Sequence, residues 1–346
     1  MRIWWLLVAA IVAPGCVDSE RAPEHRDTPR LVERSRVTMG SLLTVTAWTA
    51  DEPAALAAFE AVFDEFDRLD ALMSVWKPGS DITRLNQAAG HMPVPVHEDV
   101  RSVLQTAIQI GDWTEGKFDV TFAALADVWK FDHDQDNRIP SAADIAARLP
   151  LVDYSQIVVD HAAGTAFVGR PGMRVHLGGI GKGFAVDRGV RLLRSRGLSD
   201  FMIQSGGDMY IAGRHGDRPW RIGIRDPRGP EGATFATLQI TDVAVGTSGD
   251  YERFFIKDGR RYHHLLDPDT GEPARATRSV TVIAPRAVTA DALGTGVFVA
   301  GPHAGMKMIE RMEGVQAVIV TATNDVLVTP GLRGSLALLA QPTDAP

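Results

Sequence analysis

Segments rich in β-branched and apolar residues are interspersed with amphipathic helical stretches in this chain, without the strict strand–helix–strand rhythm that a parallel sheet requires. Residues 37–48 (VTMGSLLTVTAW) read as a first strand. Residues 53–73 follow as a helix, with Leu56, Phe59, Phe63, Phe66 and Leu69 at three- and four-residue spacings, and residues 100–114 repeat that pattern. Residues 157–168, 201–212, 221–225 and 235–245 read as strands separated by turn residues. Residues 183–195, 290–300 and 302–312 read as helices, and residues 280–284 as a strand. Residues 316–328 read as a closing hairpin that turns at Thr323-Asn324-Asp325. The 33 Gly and 20 Pro supply the turns. The expectation is an α+β fold with mixed, largely antiparallel sheets packed against helices.

Several function classes are excluded by counting. With 346 residues the chain has room for one large domain or two packed lobes. Its 36 basic and 43 acidic residues give a net charge of −7, and no Lys/Arg-rich run interrupts that balance, so nucleic acid is not an expected partner. A single cysteine, Cys16, rules out an internal disulfide, a zinc-thiolate cluster, an iron–sulfur cluster and a cysteine nucleophile in the body of the chain.

That cysteine stands at the end of a targeting signal. Met1-Arg2 precede an apolar run over residues 3–13, too short to span a bilayer but suited to a signal-peptide core. It ends at Ala13-Pro14-Gly15-Cys16, where a bacterial lipoprotein carries its lipidated thiol. A plain secretory signal or a buried cysteine are the alternatives. Residues 1–16 therefore read as a lipoprotein signal peptide, charged residues 17–34 as a flexible tether, and residues 35–340 as the functional domain. The expected location is extracytoplasmic, on the periplasmic side, with a lipid anchor in a membrane.

Four stretches carry possible chemistry. Asp132 to Asn137 looks like a calcium loop, yet the sixth and twelfth places of an EF-hand would hold Asn137 and Ala143, so a solvated turn fits better. Gly178, Gly179, Gly181 and Gly183 surround Lys182 between a strand over residues 174–177 and a helix. They allow either close passage of a ligand with free N–H groups facing an anion, or only a tight turn. The stretch is neither a Walker A loop nor a dinucleotide fingerprint. His263-His264 precede an Asp267-Pro268 turn without zinc spacing, and either could be a core residue. Thr289 can cap a helix that carries Asp291 in its first turn and Thr295 four residues on, on the same face. That pair suits a hard cation such as Mg2+, or Asp291 serves only the helix dipole.

Taken together and in order, VTMGS, LMSVWKPGSDITRLN, GKFDVTFAAL, LGGIGKGFAVDRG, SGGDMYIAG, TSGDYERFF, RYHHLLDPDTG and VTADALGT resemble the ApbE family of FAD:protein FMN transferases, from about residue 37 to 300. The resemblance implies an ApbE/T-fold-like architecture and a cofactor pocket bordered by Met39. It implies that Trp76, where relatives commonly carry Tyr, packs on the flavin. Lys117, Phe118 and Asp119 continue that wall, Lys182 faces the cofactor, and His176 stands where relatives often carry Asp. Leu265 falls with the FAD contacts, His264 matches the catalytic histidine, and Asp291 and Thr295 match the metal ligands together with the backbone at Gly179 and Gly181.

The implied reaction is Mg2+-dependent. A Thr or Ser hydroxyl of an acceptor protein, a membrane redox-complex subunit or a periplasmic protein, attacks the FMN phosphorus of FAD and releases AMP. His264, whose ordinary pKa is near neutral, would take the hydroxyl proton or orient the phosphate. A metal-dependent FAD pyrophosphatase and a non-catalytic FAD-binding lipoprotein are the alternatives.

Overall fold

The turn that starts the fold lies inside the stretch read as one strand. In the computed structural model, which describes residues 28–345, Met39 and Gly40 both take positive φ (48° and 71°) and reverse the chain between β1 (Arg30–Thr38) and β2 (Ser41–Thr49). β1 thus takes in residues 30–34, which the sequence reading gave to the tether. The signal segment and Cys16 lie outside the described residues.

From β2 the sheet continues through β3 (Phe201–Ser205), β4 (Asp208–Ala212), β5 (Val243–Gly249), β6 (Thr277–Ala284), β7 (Gln316–Thr321) and β8 (Val326–Val328). These eight strands neighbour one another in chain order, and every adjacent pair is antiparallel, as the α+β expectation requires. Residues 201–212 are therefore a hairpin turning at Gly206-Gly207, and residues 157–168 are a second one. Residues 235–245 divide between two sheets, Thr234–Ile240 in a small one and β5 in the large one. Residues 174–177 form only an isolated bridge at Arg174.

Helices cover one face of the sheet. α1 (Glu52–Met73) buries Phe59, Phe63, Phe66 and Leu69, each worth about 1.5–3 kcal/mol, so tertiary packing dominates over helix propensity. α2 (Glu98–Trp113), α3 (Gly181–Ser195) and α4 (Ala287–Ala300) complete the layer, and α5 (Pro302–Glu310) follows α4 directly. α4 is apolar on almost every side because it lies between the sheet and α3. On the opposite face Trp220–Arg225, Thr234–Ile240 and Leu336–Leu338 pack Trp220, Ile222, Phe235 and Leu238 against Val245, Ile283, Val318 and Val320. A third cluster, with Trp129, Phe131, Phe255 and Tyr262 stacked at centroid distances of 5.2–5.9 Å, borders the cavity described below through Trp129, Phe131 and Leu266. No helix among the described residues is long and apolar enough to cross a membrane.

Candidate active site

α3 and α4 cap each other. The Asp187 carboxylate of α3 accepts from the Ala287 and Val288 N–H groups of α4 (2.7 and 3.3 Å), and Asp291 of α4 accepts from the Gly183 N–H of α3 (2.9 Å). Arg286, not Thr289, is the N-cap residue of α4, and Asp291 falls in its second turn. The crossing is close enough that a Cβ at Gly183 would sit 2.3 Å from the Ala287 carbonyl oxygen, so only glycine fits there. The amide groups expected to face an anion are thus partly engaged: Gly181 N–H donates to Leu177 O (2.7 Å) and Gly183 N–H to Asp291.

This crossing forms the floor of a cavity of about 450 Å3. Of the residues singled out from sequence, Met39, Trp76, Lys117, Phe118, Asp119, His176, Gly179, Lys182, His264, Leu265, Asp291 and Thr295 line it. Gly181 does not; it opens α3 behind the wall, where a Cβ would lie 3.7 Å from Met39 Cε.

On the floor Lys182 Nζ donates to Asp208 and stands 3.9 Å from Asp291 Oδ1. Burial opposes the Lys182 charge, but the two carboxylates outweigh it and hold the ammonium above the ordinary lysine range. Burial and then the Asp208 charge push the Asp291 carboxyl up, with Lys182 and the Gly183 N–H pulling against them. Thr295 Oγ1 is 3.4 Å from Ser248 Oγ, and a Cβ at Gly179 would come within 3.4 Å of the same Thr295 oxygen. A carboxylate, two hydroxyls and a glycine backbone pressed against them are hard oxygen donors that suit Mg2+. Among the described residues no group of three His, Cys, Asp or Glu is placed to bind a metal, so a zinc-type site does not fit.

The two histidines part company. His263 is buried with Nε2 2.7 Å from Ala274 O, a core histidine, whereas His264 turns into the cavity. His264 N–H donates to Arg253 O (3.1 Å) and its Nδ1 lies 3.4 Å from the same oxygen. Burial, then the Arg253 charge, press its pKa down to about 3, so the imidazole is neutral at pH 7. His176 also lines the cavity; its Nδ1 accepts from Gly178 N–H (2.9 Å), and burial lowers this imidazole to about 4.

The walls show which predicted contacts remain free. Asp119 spends its carboxylate on Thr121 N–H and Oγ1 (2.7 and 2.6 Å) and Tyr154 N–H (2.9 Å), which fixes the wall from behind. Lys117 Nζ bridges Asp267 and Asp269 (2.9 and 2.8 Å). Phe118 is buried, while Trp76 is 57% exposed at the rim with its ring 4.7 Å from His133 in an edge-on contact. His133 belongs to the acidic turn, whose Asp132 and Asp134 also line the cavity. Asp208, Ser248, Arg253 and this turn are the site residues that sequence reasoning missed. The Gly206-Gly207-Asp208 and Thr247-Ser248-Gly249 glycines were the available signal, since each marks a strand end where backbone runs close to a neighbour.

The family profile of ApbE matches residues 39–319. A FAD:protein FMN transferase of Klebsiella pneumoniae (strain 342) is 33% identical over 320 residues, covering 91% of each chain. Among solved structures, the ApbE protein of Thermotoga maritima superposes with a TM-score of 0.81 at 31% identity, covering 88% of this chain and 99% of that one. The flavin transferase ApbE of Vibrio cholerae gives 0.78 at 27% identity, covering 89% and 99%. The chain belongs to the ApbE family.

Proposed function

We propose that this chain is a FAD:protein FMN transferase that moves FMN from FAD to a Thr or Ser hydroxyl of an acceptor protein and releases AMP. The observation that carries this reading is one cavity in which an exposed indole, the Lys182 ammonium held by buried Asp208, a neutral histidine and the Asp291–Thr295 oxygens face a common space. Family membership narrows the ligand to FAD.

In the reaction the acceptor hydroxyl oxygen forms a bond to the FMN phosphorus, the bond from that phosphorus to the AMP oxygen breaks, and the hydroxyl proton departs. Positioning and charge neutralisation dominate. Trp76 and Phe118 hold the isoalloxazine. Lys182, fixed by Asp208, places a permanent cation beside the pyrophosphate. His264 Nδ1 faces the Arg253 carbonyl, a contact that favours the proton on Nδ1 and leaves Nε2 as the acceptor for the incoming hydroxyl. A base with a pKa near 3 is weak, so His264 is suited to orient that hydroxyl, and the negative charge of FAD would raise its basicity. Asp291 and Thr295, with Ser248 and the Gly179 backbone beside them, are the donors that would hold Mg2+, which when bound supplies counter-charge to the pyrophosphate.

The same reading places the protein outside the cytoplasm, anchored through Cys16, with a membrane redox subunit or a periplasmic protein as acceptor. The apolar run over residues 3–13 and the lone cysteine support it. The activity test is incubation with FAD, Mg2+ and an acceptor: flavin fluorescence on the acceptor band supports transfer, free FMN supports a pyrophosphatase, and unchanged FAD a binding protein.

A further inference from the structure

We propose that Arg253 is a substrate-binding residue that takes a phosphate of FAD, and that Asp132 holds its guanidinium in place until FAD displaces it. This rests on the transferase reading above and names a contact within it. Four cationic side chains of the described residues line the cavity: Lys117, Arg174, Lys182 and Arg253. A dianionic pyrophosphate needs cations that can change partner at little cost. Lys182 is committed to Asp208, which is nearly fully buried. Lys117 is bound by two carboxylates at once, and Arg174 pairs with Asp127 at the end of a helical turn, where Arg148 also reaches the same carboxylate.

Arg253 differs in position, since its main chain is tied to His264. Its ion pair to Asp132 Oδ1 at 2.7 Å is partly open to solvent on both sides, as the Arg174–Asp127 pair is, and such pairs contribute little net stability. Asp132 stands in an irregular turn, held to the body through His133 on Trp76 and through Gln135 Nε2 donating to Phe254 O (3.1 Å). The arginine's own carbonyl accepts from His264 N–H at 3.1 Å, so its backbone is fixed next to the reacting centre while its side chain is not. Its charge is felt by His264, His176 and Lys182 alike, which puts it among the groups that would surround the phosphates. A planar guanidinium that already holds one oxyanion, the carboxylate, can exchange it for another in the same geometry.

The test is equilibrium binding of FAD, AMP and riboflavin, followed by flavin fluorescence or calorimetry, which needs no turnover. Arg253→Gln should weaken FAD and AMP about tenfold and leave riboflavin unchanged, with partial recovery in Arg253→Lys. Asp132→Asn should act in the opposite direction and tighten FAD roughly threefold, because the competing carboxylate is gone. In the Arg253→Gln background Asp132→Asn should have no effect on FAD. An equal loss of FAD and riboflavin in Arg253→Gln, or weaker FAD binding in Asp132→Asn, would overturn the proposal and leave the pair a structural strut. Wild-type protein that binds FAD but modifies no acceptor would overturn the transferase reading alone.

Discussion

Trp76 is open at the cavity rim, so its ring has area to offer a stacked ligand. Stacking on isoalloxazine predicts that Trp76→Ala weakens FAD by about 1 kcal/mol, close to fivefold in Kd, with flavin quenching reduced. Unchanged affinity and quenching in a titration would remove Trp76 from the flavin contact. His176 yields a pH prediction. Its pKa falls from 6.5 to about 4 in the folded chain, so between those values the unfolded chain binds a proton that the native chain refuses. Stability should therefore fall as pH falls through that window. His176→Gln should make the fall shallower, read from urea midpoints at pH 7 and about pH 4.5; the wild-type slope retained would show that His176 titrates normally when folded. Motif order singled out residues that the fold brings together, and twelve of the thirteen line one cavity. What stayed hidden was partnership. Nothing in the sequence around Asp208 or Arg253 says that one holds Lys182 and the other holds Asp132, because both pairs form between segments distant in the chain.

At the level of elements, the α3–α4 crossing controls where Asp291 stands. Asp187→Ala removes the side-chain partner of two α4 amides and should cost about 1–2 kcal/mol of stability. Gly183→Ala places a methyl group against the Ala287 carbonyl and the Asp291 side chain, and should cost about 1–3 kcal/mol while also lowering transfer by displacing Asp291. Urea denaturation with a parallel AMP-release assay checks both, and a fully stable, fully active Gly183→Ala protein would contradict the crossing. The long helices were legible because their apolar spacing is a local property, residues 53–73 being expected and Glu52–Met73 found, whereas the seven-residue helices Asp81–Gln87 and Ala142–Arg148 are too short to show that spacing. The closing hairpin was legible from its Thr323-Asn324-Asp325 turn and is found between β7 and β8, but a two-residue turn such as Gly206-Gly207 or Met39-Gly40 stayed hidden because it interrupts a β-rich run without breaking its composition. The cap of α4 was misplaced at Thr289 because its true partner, Asp187, comes from another helix.

Over the whole molecule, a meander of eight strands is interrupted by long insertions, residues 50–200 being the largest, and the cavity lies where those insertions return to the sheet ends. Composition and spacing supported the α+β class, but not the chain-order meander, since the partner of each strand depends on contacts across those insertions. If Cys16 is the lipid anchor, Cys16→Ala should move the protein from the membrane to the soluble fraction with its transferase activity intact; fractionation identical to wild type would exclude that anchor. Above all, this cavity is read as transferring FMN rather than only binding or hydrolysing FAD. The most direct measurement is the intact mass of an acceptor protein after incubation with FAD and Mg2+, with AMP quantified in the same sample, for wild type and Asp291→Ala. Transfer by this cavity gives an acceptor heavier by one FMN less one water, one AMP released per adduct, and neither product from Asp291→Ala. Free FMN with an unmodified acceptor, or an Asp291→Ala enzyme that labels the acceptor as wild type does, would contradict it.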